Sequence, residues 1–307
     1  MRNILRTMHN LDIKQFVLSV IKWVFIICII YVILMPILTK GIESIKSYND
    51  LMDSTVNHIP KKPTLKNFTD AMNAMKYLKS FMNSTLLALS ISLIQVLSCT
   101  FIGYGLGRFD FPGKKLLCVL VIVTLLIPPQ TIMTSLFMKF RFFDFFGIFT
   151  LITGKPLNVL DSFTPFLLLS ITGFGLKNGL YIYLMTQFLK GIPKEMEESG
   201  YVDGANSFQI FVKIMLPMAK TMMITVFLFS FSWAWTDTYY PRLFLSQLIT
   251  LPSSVSAIAN YGRDIDPATR RALFSAATIL ILAPIGLLYF FTQKHYIEGL
   301  EKSGIVG

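Results

Sequence analysis

The chain is 307 residues long and 53% hydrophobic, with 28 Lys and Arg against 17 Asp and Glu for a net charge of +11. A soluble domain runs about 45–50% apolar, so this composition excludes an ordinary soluble enzyme and predicts an all-α integral membrane protein. The basic residues are spread over every polar segment with no aromatic-interleaved patch, which excludes nucleic acid as a partner and leaves membrane lipid. Cys28, Cys99 and Cys118 all fall inside apolar runs. Three cysteines without ligand spacing predict neither a disulfide framework nor a metal site.

The first predicted span, Phe16 to Leu38, would measure about 35 Å as a helix, enough to cross a hydrocarbon core of about 30 Å. It starts late, is too long for a leader's apolar core and lacks a small-x-small cleavage site, so it is expected to stay as an anchor. Residues 39–80 form the longest polar segment and are expected outside the cell. Pro60-Lys61-Lys62-Pro63 is a stiff break, and Leu65, Phe68, Met72, Met75 and Leu78 then keep helical spacing, predicting a surface helix over Thr64 to Lys79. Five further spans are predicted at Phe81 to Gly107, Leu116 to Met138, Phe163 to Leu189, Met215 to Trp235 and Ala272 to Thr292. An even count of six puts both termini on one side. Arg2, Arg6, Lys14 and the tight turn at Arg108, Lys114 and Lys115 mark that side as cytoplasmic.

Polar groups inside the spans carry the candidate solute path. Pro128-Pro129 breaks the third span beside Gln130, predicting a kink that either lines the path or packs against neighbouring helices. Gln95, Asn178 and Gln187 are expected to face the bundle interior, as path residues or as interhelical glue, because an unpaired amide in lipid costs several kcal/mol. Lys177 should line a water-filled cavity or snorkel outward. The sequence GRFDFPGKK, from Gly107 to Lys115, has the wrong glycine spacing for a phosphate loop and no Ser or Thr after Lys114. No bond-making site is visible, so the chain is expected to be no enzyme and to bind no cofactor, with no catalytic residues.

Between the fourth and fifth spans lies the polar segment IPKEMEESGYVDGANSFQIFVKIMLP, Ile192 to Pro217. Pro193 suits a first helical turn, and Glu195, Glu197 and Glu198 sit where a helix dipole favours negative charge, so a helix should begin at about Lys194. Asp203-Gly204 reads as a turn, with Asp203 available to cap a second helix that Pro217 ends. Phe208, Phe211, Val212 and Met215 keep the i, i+3, i+4, i+7 spacing of an apolar face. Such a hinged pair between two spans is expected to dock into a partner's groove.

Glu198, Gly204 and the run Ile214-Met215-Leu216-Pro217 stand in the spacing of the EAA signature, and the segment resembles that loop of bacterial ABC importer permeases. The resemblance implies a cytoplasmic coupling loop over 194–217 that fits a cleft on an ATPase subunit. It implies Glu198, Ser199, Gly200, Asp203, Gly204, Ala205, Phe208, Phe211, Ile214, Leu216 and Pro217 as the coupling residues of that loop. Ser199 and Gly200 replace two alanines of the signature, and the second glycine is expected to loosen the first helix by about 1 kcal/mol.

From Asn83 onward the chain resembles the carbohydrate branch, similar to the second permease of maltose-type transporters. NGLYIYLMTQF (Asn178 to Phe188), IPPQ (Ile127 to Gln130), WAWTDTYY (Trp233 to Tyr240, with Thr236 for asparagine) and the closing QKHYIEGLEKSGIVG (with Val306 for lysine) carry that likeness. It implies an ABC importer type I transmembrane domain over 81–293, preceded by the anchor segment 1–80 and followed by a tail, 294–307. It further implies an importer of a sugar or oligosaccharide in the bacterial cytoplasmic membrane. The implied partners are a second homologous permease, two ATP-binding subunits that use ATP and Mg, and an extracellular solute-binding lipoprotein or periplasmic protein. Gln95, Pro128, Gln130, Asn178, Gln187 and Trp235 are the candidate path residues, with Trp233, Trp235, Tyr239 and Tyr240 clustered where a sugar would stack. A permease for a non-sugar solute is the nearest rival. An ion-coupled secondary transporter would show paired intramembrane acids and inverted repeats, and the sequence shows neither.

Overall fold

The computed structural model describes residues 2–57, 59–261 and 265–304, and side chains over 15–57, 59–261 and 265–294. Val306 lies outside the described residues. Every regular element among them is helical, and one isolated antiparallel bridge joins Phe143 to Leu157. In chain order the helices are α1 (Arg2–Ser44), α2 (Tyr48–Met52), α3 (Lys66–Ala74), α4 (Tyr77–Arg108), α5 (Lys114–Leu126), α6 (Pro129–Arg141) and α7 (Ile148–Thr153). There follow α8 (Thr164–Ile171), α9 (Asn178–Lys190), α10 (Glu195–Val202) and α11 (Ser207–Ile210), then a π-helical turn over Phe211–Met215 and α12 (Leu216–Met218). The rest are α13 (Lys220–Thr236), α14 (Tyr239–Phe244), α15 (Leu251–Ser254), α16 (Ser256–Asn260) and α17 (Pro267–Gly304).

Among the described residues, three helical stretches are long and apolar enough to cross a membrane singly: Gln15–Ser44, Tyr77–Arg108 and Pro267–Lys294. Two more form only as bent pairs, α5 with α6 at 100° and Ser207–Met218 with α13 at 71°. Of the six expected spans, the third carries the break expected at Pro128-Pro129, and the fourth and fifth are corrected from single helices. The span Leu116–Met138 is broken because Ile127, held extended by the following proline (φ −76°, ψ 116°), and Pro128 (φ −64°, ψ 133°) leave the helical region. Pro129 then starts α6 in its first turn, where a missing N–H is harmless. The span Phe163–Leu189 is split into α8 and α9, because Gly173 (φ 79°) and Lys177 (φ 61°) adopt left-handed backbone. The fifth span bends at Ala219, so Pro217 sits inside the first turn of α12 and does not end the preceding helix.

The chain divides into two compact units, one of residues up to Ala74 with Ala257–Leu282, the other of Met75–Ser256 with the residues from Ala283. In the first, Ser275 Oγ donates to Glu43 (2.7 Å), which also pairs with Lys40 (3.2 Å). Below this tie, Asn67 Nδ2 gives both hydrogens to the carbonyls of Ser44 and Lys46 (3.0 and 2.9 Å), and the buried Lys46 ammonium donates to Val56 O (2.8 Å). The expected surface helix shortens to α3, and its buried stripe holds Asn67 and Ala71 while Leu65 and Met72 stay exposed. Lys61 donates to Asp53 (2.7 Å) and holds that carboxyl well below the usual carboxylate range.

In the second unit α4 is the central helix, packed by α8, α9 and α13. Its buried residues recur as Ser84, Leu87–Ala88, Ile91–Ser92, Gln95–Val96, Cys99–Thr100 and Gly103–Tyr104, the three-to-four spacing of a helix covered along one side. On α9 the same rhythm buries Asn178, Ile182, Met185, Thr186 and Leu189.

Candidate functional site

The hinged pair begins beyond α9. Lys194 stands at the N-terminal boundary of α10 without a side-chain cap, and Glu195, Glu197 and Glu198 fill its first turn as the dipole favours. The helix ends in a Schellman turn. Ala205 N donates to Gly200 O and Gly204 N to Tyr201 O, each at 3.0 Å, which satisfies the last carbonyls. This closure needs a left-handed residue, and Gly204 supplies it at φ 80°. Asn206, not Asp203, caps the second helix: its side chain accepts from Gln209 N while Gln209 Oε1 accepts from Asn206 N, each at 2.9 Å. Asp203 instead is the last residue before the turn, so the expected capping role moves three residues on.

The apolar stripe of that second helix divides. Ile210, Phe211 and Met215 are buried, and Ile214 packs against them. Phe208, 66% exposed, and Val212 remain outside, with Val202 (87% exposed), Tyr201 and Met196. The expectation that Phe211 and Met215 share an outward docking face is therefore corrected: Phe211 packs, with its ring tilted, on Phe101 (4.9 Å between centroids) and Tyr104 (4.8 Å) of α4. The π-helical turn places one extra residue in the turn that holds Phe211 and Met215. Gly200 is buried against this inner stripe, and a Cβ built there would lie 2.9 Å from Ile214 Cδ1. Its glycine brings two helices into contact, where the sequence suggested only a loosened one. Glu198, Ser199, Asp203, Gly204 and Pro217 are exposed, and Ala205 and Leu216 are half-buried.

From sequence alone Arg108 is only a charge that marks a side. In the structure its side chain is 5% exposed, and its guanidinium donates from Nη2 to Ile192 O (2.6 Å) and lies with Nε 3.4 Å from Glu197 Oε1. Only the three-dimensional meeting of α4 and α10 could reveal that pairing. In the adjoining turn Lys114 donates to Asp110 (2.9 Å) and holds its carboxyl below the usual range.

Of the candidate path residues, Gln95 and Asn178 meet directly. Gln95 and Asn178, both 1% exposed, bond to the chain itself. Gln95 Nε2 donates to Leu176 O (3.0 Å) and to Asn178 Oδ1, and Ser230 Oγ donates to Gln95 Oε1. Asn178 Nδ2 (3.3 Å) and Ser98 Oγ (2.8 Å) both donate to Ser170 O. These bonds answer carbonyls freed by the α8–α9 break, as a break at membrane depth requires. Gln187 is corrected from interior to exposed, because the buried stripe of α9 runs along its other side. Pro128 and Gln130 are exposed at the 100° bend. Trp235 is core, 2% exposed, edge-on to Phe81 (5.7 Å) and stacked on Phe231 (5.8 Å). Trp233 is exposed, with Lys177 Nζ 4.8 Å from the centre of its ring. Gln95, Ser230, Trp233 and Asp237 share the lining of one small cavity.

A family model described as "binding-protein-dependent transport system inner membrane component" matches residues 100–302. The alpha-glucoside transport system permease protein AglG of Rhizobium meliloti (strain 1021) is 30% identical over 81% of this chain, and the match spans 62% of that longer relative. The arabinooligosaccharides transport system permease protein AraQ of Bacillus subtilis (strain 168) is 26% identical over 89% of this chain and 91% of its own length. A bacterial ABC transporter involved in the import of the acidic polysaccharide alginate has a chain of the same fold, with TM-score 0.70 at 17% identity over 91% of this chain and 96% of that one.

Proposed function

Because this chain belongs to the family of binding-protein-dependent transport system inner membrane components, we propose that it is the membrane-spanning subunit of an ATP-driven importer that moves a sugar or oligosaccharide by alternating access. The solute is delivered by an extracellular binding lipoprotein or periplasmic protein and crosses the bacterial cytoplasmic membrane. The substrate class draws its support from relatives whose names specify alpha-glucosides and arabinooligosaccharides. Six crossings follow when α5 with α6, α8 with α9, and Ser207–Met218 with α13 each count as one bent span beside the three long helices. Both termini and the hinged pair are then cytoplasmic. ATP and Mg are used by two partner ATP-binding subunits, and this chain pairs with a second, homologous permease.

The observation that carries the reading is the hinged pair itself, closed by the Gly204 turn and the Asn206–Gln209 box and exposing Val202 and Phe208 at its tip. An apolar tip on two stiff helices fits a groove on a partner, and movement of that partner would be passed to the helix bundle. The test is reconstitution of the full complex in vesicles with a panel of saccharides and the cognate binding protein. ATP-dependent saccharide accumulation that requires the binding protein is expected. Uptake driven by an ion gradient without ATP would overturn the reading.

A further inference from the structure

Arg108 ends α4, the helix around which the second unit is packed. Three contacts join that end to the hinged pair. Nη2 holds the Ile192 carbonyl, in the link between α9 and α10, and the guanidinium faces Glu197 in the first turn of α10. One turn back, Tyr104 holds Phe211 of the second helix. Both charged side chains are largely withdrawn from solvent, 5% exposed for Arg108 and 15% for Glu197, where charges interact more strongly than in water. Thirteen positions earlier, about 20 Å along the helix axis, the same α4 carries Gln95. That amide ties Leu176 and Asn178 at the α8–α9 break to Ser230 of α13. One rigid element thus links the hinged pair to the polar knot that holds the broken helix.

We propose that Arg108 is a positioning residue for transport: it grips α10 through Glu197 and the link before it through Ile192, so that displacement of the hinged pair is delivered to α4 and, through Gln95, to the α8–α9 break. The proposal rests on the importer reading above. Without the grip, the pair would still present the exposed Val202 and Phe208 to a partner, but its movement would be absorbed by the Gly191–Lys194 link. Hydrolysis would continue while transport fell behind.

The experiment uses the complete transporter in vesicles, reading saccharide uptake and ATP hydrolysis on the same preparations and expressing the result as uptake per ATP. The double variant Arg108→Gln with Glu197→Gln removes both charges together and leaves no orphaned ion. It is expected to keep its ATP-binding subunits and its hydrolysis while uptake per ATP falls about tenfold. Glu197→Gln alone, which retains the Arg108–Ile192 bond, should lower the ratio less. The exchanged pair, Arg108→Glu with Glu197→Arg, should recover part of it. If the double variant is not recovered from membranes, Glu197→Gln and the exchanged pair decide. A wild-type ratio in Glu197→Gln overturns the proposal, as does a double variant whose uptake and hydrolysis fall in proportion. Failure of the importer reading is separate: the unmodified complex would then show no ATP-driven saccharide uptake at all.

Discussion

Gly204 is the residue on which the hinge geometry turns. Its φ of 80° lies where a side chain costs about 1–2 kcal/mol, yet no atom stands within 4 Å of a Cβ built there. The cost is one of backbone conformation and not of collision, which gives a graded expectation. Gly204→Asn, whose side chain tolerates left-handed backbone, should retain most uptake at equal membrane abundance. Gly204→Val should lose most of it. Equal uptake in the two variants would remove the backbone explanation. The Asp-Gly pair announced this turn in the sequence, whereas the cap at Asn206 was hidden by the nearer Asp203. The Asn206-x-x-Gln209 spacing of a capping box was the available signal. Arg108 had no such signal, because its partners lie 84 and 89 positions away and nothing in a tight basic turn distinguishes a paired guanidinium from a solvated one.

At the scale of elements, spacing identified which faces are apolar but not what covers them. The rhythm of α4 was legible because a helix covered along one side repeats its buried residues every three to four positions. The second helix of the hinge shows the same rhythm, yet its inner stripe is Ile210, Phe211, Ile214 and Met215, one step round from the face that spacing suggested. The α8–α9 break was illegible for a different reason: 163–189 is apolar almost throughout, so Gly173, Gly175 and Lys177 looked like tolerated interruptions of one long helix. The break makes its own prediction at Lys177, which adopts φ 61° at the start of α9 and lies over Trp233. Lys177→Gly relieves a conformation costing about 1–2 kcal/mol while losing a cation–π contact of about 0.5–2 kcal/mol, and should leave stability nearly unchanged. Lys177→Ala loses the contact without the relief and should lower the melting temperature of the purified protein. Identical melting temperatures for the two would show that neither the strain nor the contact matters.

For the whole molecule, composition and span lengths sufficed to read a membrane protein; the proline pair breaks the third span as its sequence predicts, while left-handed Gly173 and Lys177 split the fourth and the fifth bends at Ala219. Orientation is the open geometrical prediction. With the three native cysteines replaced, new cysteines at Lys61 and Ser253 should react with an impermeant reagent on intact cells, and one at Glu198 only after permeabilisation. The opposite pattern would invert the proposed topology and place the hinged pair on the wrong face for an ATP-binding partner.

The central claim, that the exposed tip of the hinged pair seats in the ATP-binding subunits, is tested most directly by co-purification. Phe208→Asp and Val202→Asp each put a carboxylate where an apolar groove should close, a desolvation cost of several kcal/mol when unpaired. Both side chains are exposed in this chain, so the permease itself should fold and keep its membrane partner. The account predicts that the purified variants lose their ATP-binding subunits while the second permease is retained. Full retention of the ATP-binding subunits in both variants would contradict it.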